Sequence, residues 1–198
     1  MPAAEVRSVG PMRLRSRSVG AISGRRSRDG HTLIEVLVAL SVLMMAVIVY
    51  SQAVTNGIRA QQSIAERSTA LNAAREMLEQ IKAADFTDAY ALYNDIPGDD
   101  PDGIGTAPGD DFTVDGLDPQ QGQNFEGEIL FPEVGGVLSE TAPDANFGMP
   151  YDLNNDGDAL DADVSGDYLL LPVIVRIEWN GCIGDSELEV RTWLTAGI

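Results

Sequence analysis

The chain has 198 residues, of which 44% are apolar, with one His and one Cys. This length allows one domain with appended segments, the lone Cys excludes an internal disulfide, and one His with one Cys exclude a zinc site built from these residue types. Thirteen basic against 31 acidic residues give a net charge of −18, which argues against a nucleic-acid partner because phosphate contacts need clustered Lys and Arg.

The basic residues are concentrated at the N-terminus. Residues 1–30 hold seven of the thirteen, all Arg, against Glu5 and Asp29, for a local charge of +5. The remaining residues carry six basic against 29 acidic side chains, for −23. Such asymmetry between a short basic head and a long acidic tail is typical of a chain sorted across a membrane or bound to one.

An apolar run follows, from Leu33 to Val54, with Glu35 as its only charge and no Pro or Gly. At ~1.5 Å per residue, roughly 20 such residues span a hydrocarbon core of about 30 Å. The run therefore predicts a transmembrane helix, and the Arg-rich N-terminal flank predicts a cytoplasmic N-terminus with the acidic part outside. A cleaved secretory signal is the competing interpretation, but the run exceeds an h-region of about 7 to 15 residues and no small-x-small site follows it.

Glu35 is costly in this position. A charged side chain costs on the order of 2.5 to 3.5 kcal/mol at the centre of a membrane helix, and less near an interface. Two interpretations stay open on physical grounds: the side chain snorkels to the cytoplasmic headgroups, or it pairs with a cation supplied by another chain or by a new N-terminus.

The residues around this acid resemble a known signal. Residues 25–40 read RRSRDGHTLIEVLVAL and resemble the class III signal of type IV pilins and type II secretion pseudopilins. In that family a prepilin peptidase at the cytoplasmic face cuts after the Gly, and the new N-terminus is methylated. The resemblance implies cleavage between Gly30 and His31, N-methylation of His31, and Glu35 as the fifth residue of the mature chain, where the family carries a glutamate.

The resemblance also implies an assembly mechanism and a set of partners. The Glu35 carboxylate would pair with the α-amine of a neighbouring subunit inside an apolar bundle, where each charge is otherwise unmatched. The implied partners are the prepilin peptidase, other pilin or pseudopilin subunits, an inner-membrane assembly platform and the lipid bilayer. A leader (1–30) and a transmembrane assembly helix (31–54) are thus expected.

The helix is expected to continue through residues 55–84. Apolar or small residues recur there at steps of three and four, which predicts one stripe along an amphipathic helix. The predicted stripe consists of Val54, Ile58, Gln61, Ala65, Ser68, Leu71, Ala74, Leu78 and Ile81.

From residue 85 to 198 the composition predicts an acidic extracytoplasmic head. Residues 94–124 contain eight Asp and four Pro, which favours a loop or a partly disordered insertion. Short strands are expected at 126–131 and 136–138.

Residues 152–163 fit the twelve-residue calcium loop D-x-[DN]-x-[DN]-G-x5-E, with Asp in place of the final Glu. By loop analogy Asp152, Asn154, Asp156 and Asp163 would bind calcium through side-chain oxygens, and Asp158 through its carbonyl. Some pseudopilins hold calcium in this part of the head, so the resemblance agrees with the site. The other interpretation is a solvated acidic loop in an Asp-rich chain. Pro150 and the strand-like run after Tyr168 exclude a complete EF-hand.

The C-terminal segment predicts a β-hairpin over residues 173–194. Residues 173–179 and 187–193 alternate in polarity, and residues 180–186 between them are turn-like. Pairing places Val175 near Val190 on one face and Arg176 near Glu189 on the other. We expect the apolar face to pack on the helix, which gives an α+β, pilin-like fold: one long helix on a small antiparallel sheet.

No catalytic motif is present in the sequence, so an enzyme is not expected. The favoured function is a minor pilin-like structural subunit, a pseudopilin, anchored in a bacterial inner membrane and then assembled into a type IV pilus or type II secretion pseudopilus. The alternative is a signal-anchored, calcium-binding acidic adhesion module that does not polymerise.

Overall fold

The computed structural model describes residues 32–143 and 145–196. Its elements are helix α1 (Leu33–Ala83), helix α2 (Ala89–Tyr93), strands β1 (Asp111–Phe112) and β2 (Gly127–Leu130), a 3-10 turn (Ala145–Phe147), and strands β3 (Leu170–Gly181) and β4 (Gly184–Thr195). Contacts divide the chain into two compact units, with the boundary between Val47 and Ile48.

Helix α1 is long because its first 24 residues contain neither Gly nor Pro. All residues from Thr32 to Gln62 are exposed to solvent, although most of the first 22 are apolar. Among the described residues, α1 is the one helix that is long and apolar enough to cross a membrane.

The second unit contains an antiparallel sheet in the order β1-β2-β3-β4. The predicted hairpin is confirmed: Val175 pairs with Val190, Arg176 with Glu189, and Ile177 with Leu188. The turn is tighter than the sequence indicated, since pairing continues to Gly181 opposite Gly184. Gly184 has a φ of +128°, which a residue with a side chain rarely adopts.

The second half of α1 packs against this sheet. Its buried residues are Ala70, Ala74, Leu78 and Ile81, which join one core with residues of β2 and β3 such as Ile129, Val175 and Ile177. The long helix on a four-stranded antiparallel sheet confirms the predicted α+β, pilin-like fold.

The inward face of α1 differs from the predicted stripe at its N-terminal end. Ala74, Leu78 and Ile81 are buried as expected, but Gln61, Ala65 and Ser68 are exposed, and Ala70 is fully buried instead. Val54 and Ile58, at the start of the predicted stripe, are also exposed. The periodicity predicted the inward positions at the C-terminal end of α1, but it could not show at which residue the core begins to cover the helix.

The Asp-rich segment is a loop that supplies one short strand. β1 pairs with β2, with Phe112 opposite Gly127, and the Phe112 ring covers the place that a Gly127 side chain would take. Strand β2 lies within the predicted 126–131 segment. Near 136–138 there is only an isolated bridge between Glu133 and Leu138.

Candidate functional site

The N-terminal site begins at the edge of the described residues. Gly30 and His31, the predicted cleavage pair, lie outside them. Glu35 lies in the first turn of α1, and its backbone N–H donates to the carbonyl oxygen of Thr32 (3.0 Å) and to Thr32 Oγ1 (3.3 Å). Thr32 is therefore the N-cap, and Thr32 and Glu35 have the spacing of a capping box.

The Glu35 carboxylate lies both near a helix N-terminus and beside apolar side chains. A carboxylate near a helix N-terminus interacts well with the helix dipole. The side chain also shares an exposed apolar surface with Val36, Ala39, Leu40 and Leu43. The first turn is thus capped by the Thr32 side chain, and Glu35 places a carboxylate beside an exposed apolar surface.

In the loop predicted to bind calcium, side-chain oxygens accept hydrogen bonds from the loop's own backbone. Asp152 Oδ1 and Asn154 Oδ1 both accept the N–H of Asp156, at 3.2 and 3.1 Å, and Asp152 Oδ2 accepts the N–H of Gly157 at 3.0 Å. Gly157 has a φ of +109°, which permits the sharp turn. These contacts bring oxygens of Asp152 and Asn154 to one point.

The other predicted ligands lie in separate local turns. Asp156 Oδ1 accepts the N–H of Asp158, Asp158 Oδ1 accepts that of Leu160, and Asp163 Oδ1 accepts that of Ser165. Asn154 donates from Nδ2 to Asp161 Oδ2 at 3.2 Å. Within residues 32–143 and 145–196, no three Asp, Glu, His or Cys side chains are arranged to hold a metal ion.

Glu140 contacts this loop and was not singled out from the sequence. Its side chain is fully buried, and its carboxylate accepts backbone N–H groups of Leu153 (2.6 Å), Asn154 (3.4 Å) and Asp161 (3.3 Å). A single Glu in the stretch Leu-Ser-Glu-Thr carries no periodic or spacing signal of burial, so sequence reasoning had no means to find it.

A second group of carboxyls lies around α2 and β2. Burial, followed by the charges of Asp95 and Asp110, raises the pKa of Glu133. Burial also raises the pKa of Asp110 and that of Glu128. Tyr90 is 2% exposed, and burial, with the nearby Glu133 charge, raises its pKa. These carboxyls therefore take up protons more readily than exposed ones.

Cys182 lies at the hairpin tip, against α1. Its backbone N–H donates to both oxygens of Glu66 (3.3 and 3.2 Å), and its Sγ contacts the carbonyl oxygen of Arg59 at 3.4 Å. Partial burial, followed by the Glu66 charge, raises the pKa of the thiol. A thiol with a raised pKa is a poor nucleophile, so its environment favours an ordinary free cysteine.

Comparison with known proteins bears on the N-terminus. A family model described as "Prokaryotic N-terminal methylation motif" matches residues 25–50. The match confirms the predicted resemblance to the type IV pilin and pseudopilin family, and it supports a pilin-type substrate of prepilin peptidase. Together with the apolar helix it indicates membrane anchoring. No curated protein and no solved structure matches the chain.

Proposed function

We propose that this protein is a minor pilin-like subunit, a pseudopilin, that assembles through α1 into a type IV pilus or a type II secretion pseudopilus. In this proposal prepilin peptidase cuts between Gly30 and His31, and His31 is N-methylated. The observation that carries the proposal is the methylation motif at residues 25–50, which includes the start of α1, where the helix is apolar and exposed and has one acid in its first turn.

The exposed helix supports a role in assembly. The large apolar side chains between Leu33 and Val54 are mostly more than half exposed. Such a surface needs lipid or other apolar helices around it. The bilayer would cover it before assembly, and neighbouring subunits would cover it in a filament.

The place of the subunit in the cell follows from charge. The Arg-rich leader would stay on the cytoplasmic side of a bacterial inner membrane, and the acidic head would lie outside it. The partners would be the peptidase, other subunits and an inner-membrane platform. The head would act as a structural part and not as an enzyme. The alternative of an adhesion module that does not polymerise gains no support from the motif.

The first experiment measures processing. The protein is recovered from membranes of cells with and without prepilin peptidase, and its intact mass and N-terminal sequence are determined. We expect a peptidase-dependent N-terminus at His31, with an added methyl mass of about 14 Da. A chain that keeps its Arg-rich leader in both strains would refute the proposal and leave a signal-anchored module.

The second experiment tests the charge of Glu35. E35Q removes the charge and keeps a polar side chain that a capping box accepts at this position, whereas E35A removes the polar side chain altogether. The bond from the Glu35 backbone N–H to Thr32 Oγ1 can form in both variants. We expect E35Q to be processed normally and to be missing from sheared filaments. Normal incorporation of E35Q would exclude charge pairing as the assembly interaction.

We propose further that residues 152–163 bind calcium. The donor set fits this ion because Asp152, Asn154, Asp156, Asp158 and Asp163 supply only hard oxygen ligands, and Gly157 already has the positive φ of the turn. Calcium would supply positive charge to a loop whose carboxylates repel each other. A rise in the unfolding temperature with calcium but not magnesium, lost in D152N, is the expected result; no rise would refute calcium binding.

A further inference from the structure

One fully buried carboxylate in the head belongs to none of the predicted sites. Glu140 has 0% exposure, and among the described residues no Lys or Arg pairs with it. An unpaired buried carboxylate is expensive unless several donors satisfy it. Its donors therefore show what the residue stabilises.

Within the part of the chain that the structure describes, the donors to Glu140 all belong to the two ends of the loop at residues 152–163. Oε1 accepts the N–H groups of Leu153 and Asn154, and Oε2 accepts the N–H of Asp161. The backbone adds to this contact, because the Glu140 N–H and Ser139 Oγ both donate to the carbonyl oxygen of Asp161 at 3.1 Å. Glu140 thus joins the start and the end of one loop.

The start of the loop is in turn fixed to the sheet. Leu153 is fully buried, and its carbonyl oxygen accepts the N–H groups of Leu169 (2.8 Å) and Leu170 (2.9 Å), where β3 begins. The other end is held by the bonds of Glu140 and Ser139 to Asp161, and by the Val164 N–H, which donates to the carbonyl oxygen of Leu138 at 2.9 Å. The Glu140 carboxylate is the one group among these that bonds to both ends of the loop.

We propose that Glu140 is a positioning residue that closes the 152–163 loop through three backbone N–H groups before any ion is present. The consequence for calcium rests on the proposed function. The ion would bind a loop whose ends are already held together, so its binding free energy would not have to offset the entropy lost when those ends become ordered.

The test compares the full chain with E140Q in detergent, using residue-resolved hydrogen exchange in EDTA. Gln has the same shape, but its NH2 group places a donor against the N–H of either Leu153 or Asp161. We expect both amides to be protected in the natural chain, and exchange at one or both to be about 10- to 100-fold faster in E140Q, as for loss of a charge-assisted buried hydrogen bond.

The matched control is E126Q. Glu126 is also a buried glutamate of the head, and it accepts the N–H of Val114 at 2.9 Å instead of an N–H of the 152–163 loop. The E126Q substitution removes the same charge, and we expect exchange of the Leu153 and Asp161 amides to stay unchanged in this variant.

Three outcomes overturn the proposal. The first is fast exchange of the Asp161 amide in the natural chain. This result would refute the proposal even if E140Q failed to fold. The second is unchanged exchange in E140Q. The third is equal acceleration in E126Q.

Calcium titration of the same proteins is a separate readout. If the natural chain binds calcium, we expect E140Q to bind it at least tenfold more weakly than E126Q does, and equal affinities would refute the positioning role in binding. If the natural chain binds none while E140Q still loses protection, the calcium proposal fails and the loop closure stands.

Discussion

At the residue scale, Glu66 joins the hairpin to the helix. Both of its oxygens accept the N–H of Cys182, and the position of a Cβ on Gly181 would lie 2.9 Å from Glu66 Oε2. The close approach needs a glycine at the tip and a carboxylate on α1. The two residues are 115 positions apart in the chain, so no local pattern in the sequence connects them.

We therefore expect E66A to destabilise the head by about 1 to 3 kcal/mol, because the Cys182 N–H loses its acceptor. The measurement is urea unfolding of the full chain in detergent, followed by tryptophan fluorescence. Glu76, an exposed residue of the same helix, supplies the control, and E76A should change stability little. Equal losses in the two variants would contradict the role of this contact.

The group of carboxyls around Glu133 predicts a pH dependence. Its pKa is raised from 4.5 by burial and by nearby acids, so the folded state binds this proton more tightly than the unfolded chain. Stability should therefore rise as the pH falls from 7 through the raised pKa towards 4.5. At lower pH the trend reverses, because hydrogen bonding to Arg191 and then Arg176 lowers the pKa of Glu189.

In E133Q the gain in stability between pH 7 and pH 5 should be smaller than in the natural chain. Thermal unfolding at both values measures it, with D185N, a substitution of an exposed acid, as the control. The interpretation would be contradicted if E133Q and the natural chain gained stability equally.

At the scale of elements, the sequence predicted the hairpin better than the helix face. Alternation in β3 and β4 has a period of two, and the register follows from it. The face of α1 is harder to predict, because Ala70, which is fully buried, is a small residue of a kind that an exposed helix also contains. Only the position of the sheet distinguishes Ala70 from the exposed Ala60.

The burial of the alanines at positions 70 and 74 gives a direct prediction. Ala74 is fully buried, so A74L adds a bulky side chain to the core, and overpacking of this kind costs about 1 to 3 kcal/mol. Urea unfolding should show this loss, whereas A60L, on the exposed part of the same helix, should be nearly neutral. If A74L were as stable as the natural chain, the core would not be tightly packed around this position.

Strand β1 and the contacts of Glu140 illustrate what the sequence did not reveal. β1 has two residues in an Asp-rich stretch, too short to show alternation. The predicted ligand loop was recognisable from its spacing of Asp, Asn and Gly, whereas the residue that contacts both of its ends precedes it by 12 positions. Hydrogen bonds from buried side chains to distant backbone groups leave no pattern in sequence.

At the scale of the whole molecule, processing would change the charge. Removing residues 1–30 takes away seven of the thirteen basic residues and leaves a net −23. In the proposed filament such chains would lie side by side, and their repulsion would reach about 30 Å at 0.01 M salt but only about 8 Å at 0.15 M.

We expect incorporation of this subunit into sheared filaments to rise between 0.01 M and 0.15 M sodium chloride. Quantitative immunoblotting of the filament pellet measures it, and sucrose of equal osmolality is the control. Incorporation that is equal at both salt concentrations would show that head repulsion does not limit assembly.

Strand β4 is the last strand on its side of the sheet in the described part of the chain, and it is twelve residues long. An open edge of this length is a template for fusion of sheets between molecules. Alternate positions along one face of β4 carry Asp185, Glu187, Glu189, Arg191 and Trp193, so two approaching edges would each bring three acids and one base. Because like charges repel, copies of the protein at high concentration in a membrane would be protected from amyloid-like aggregation.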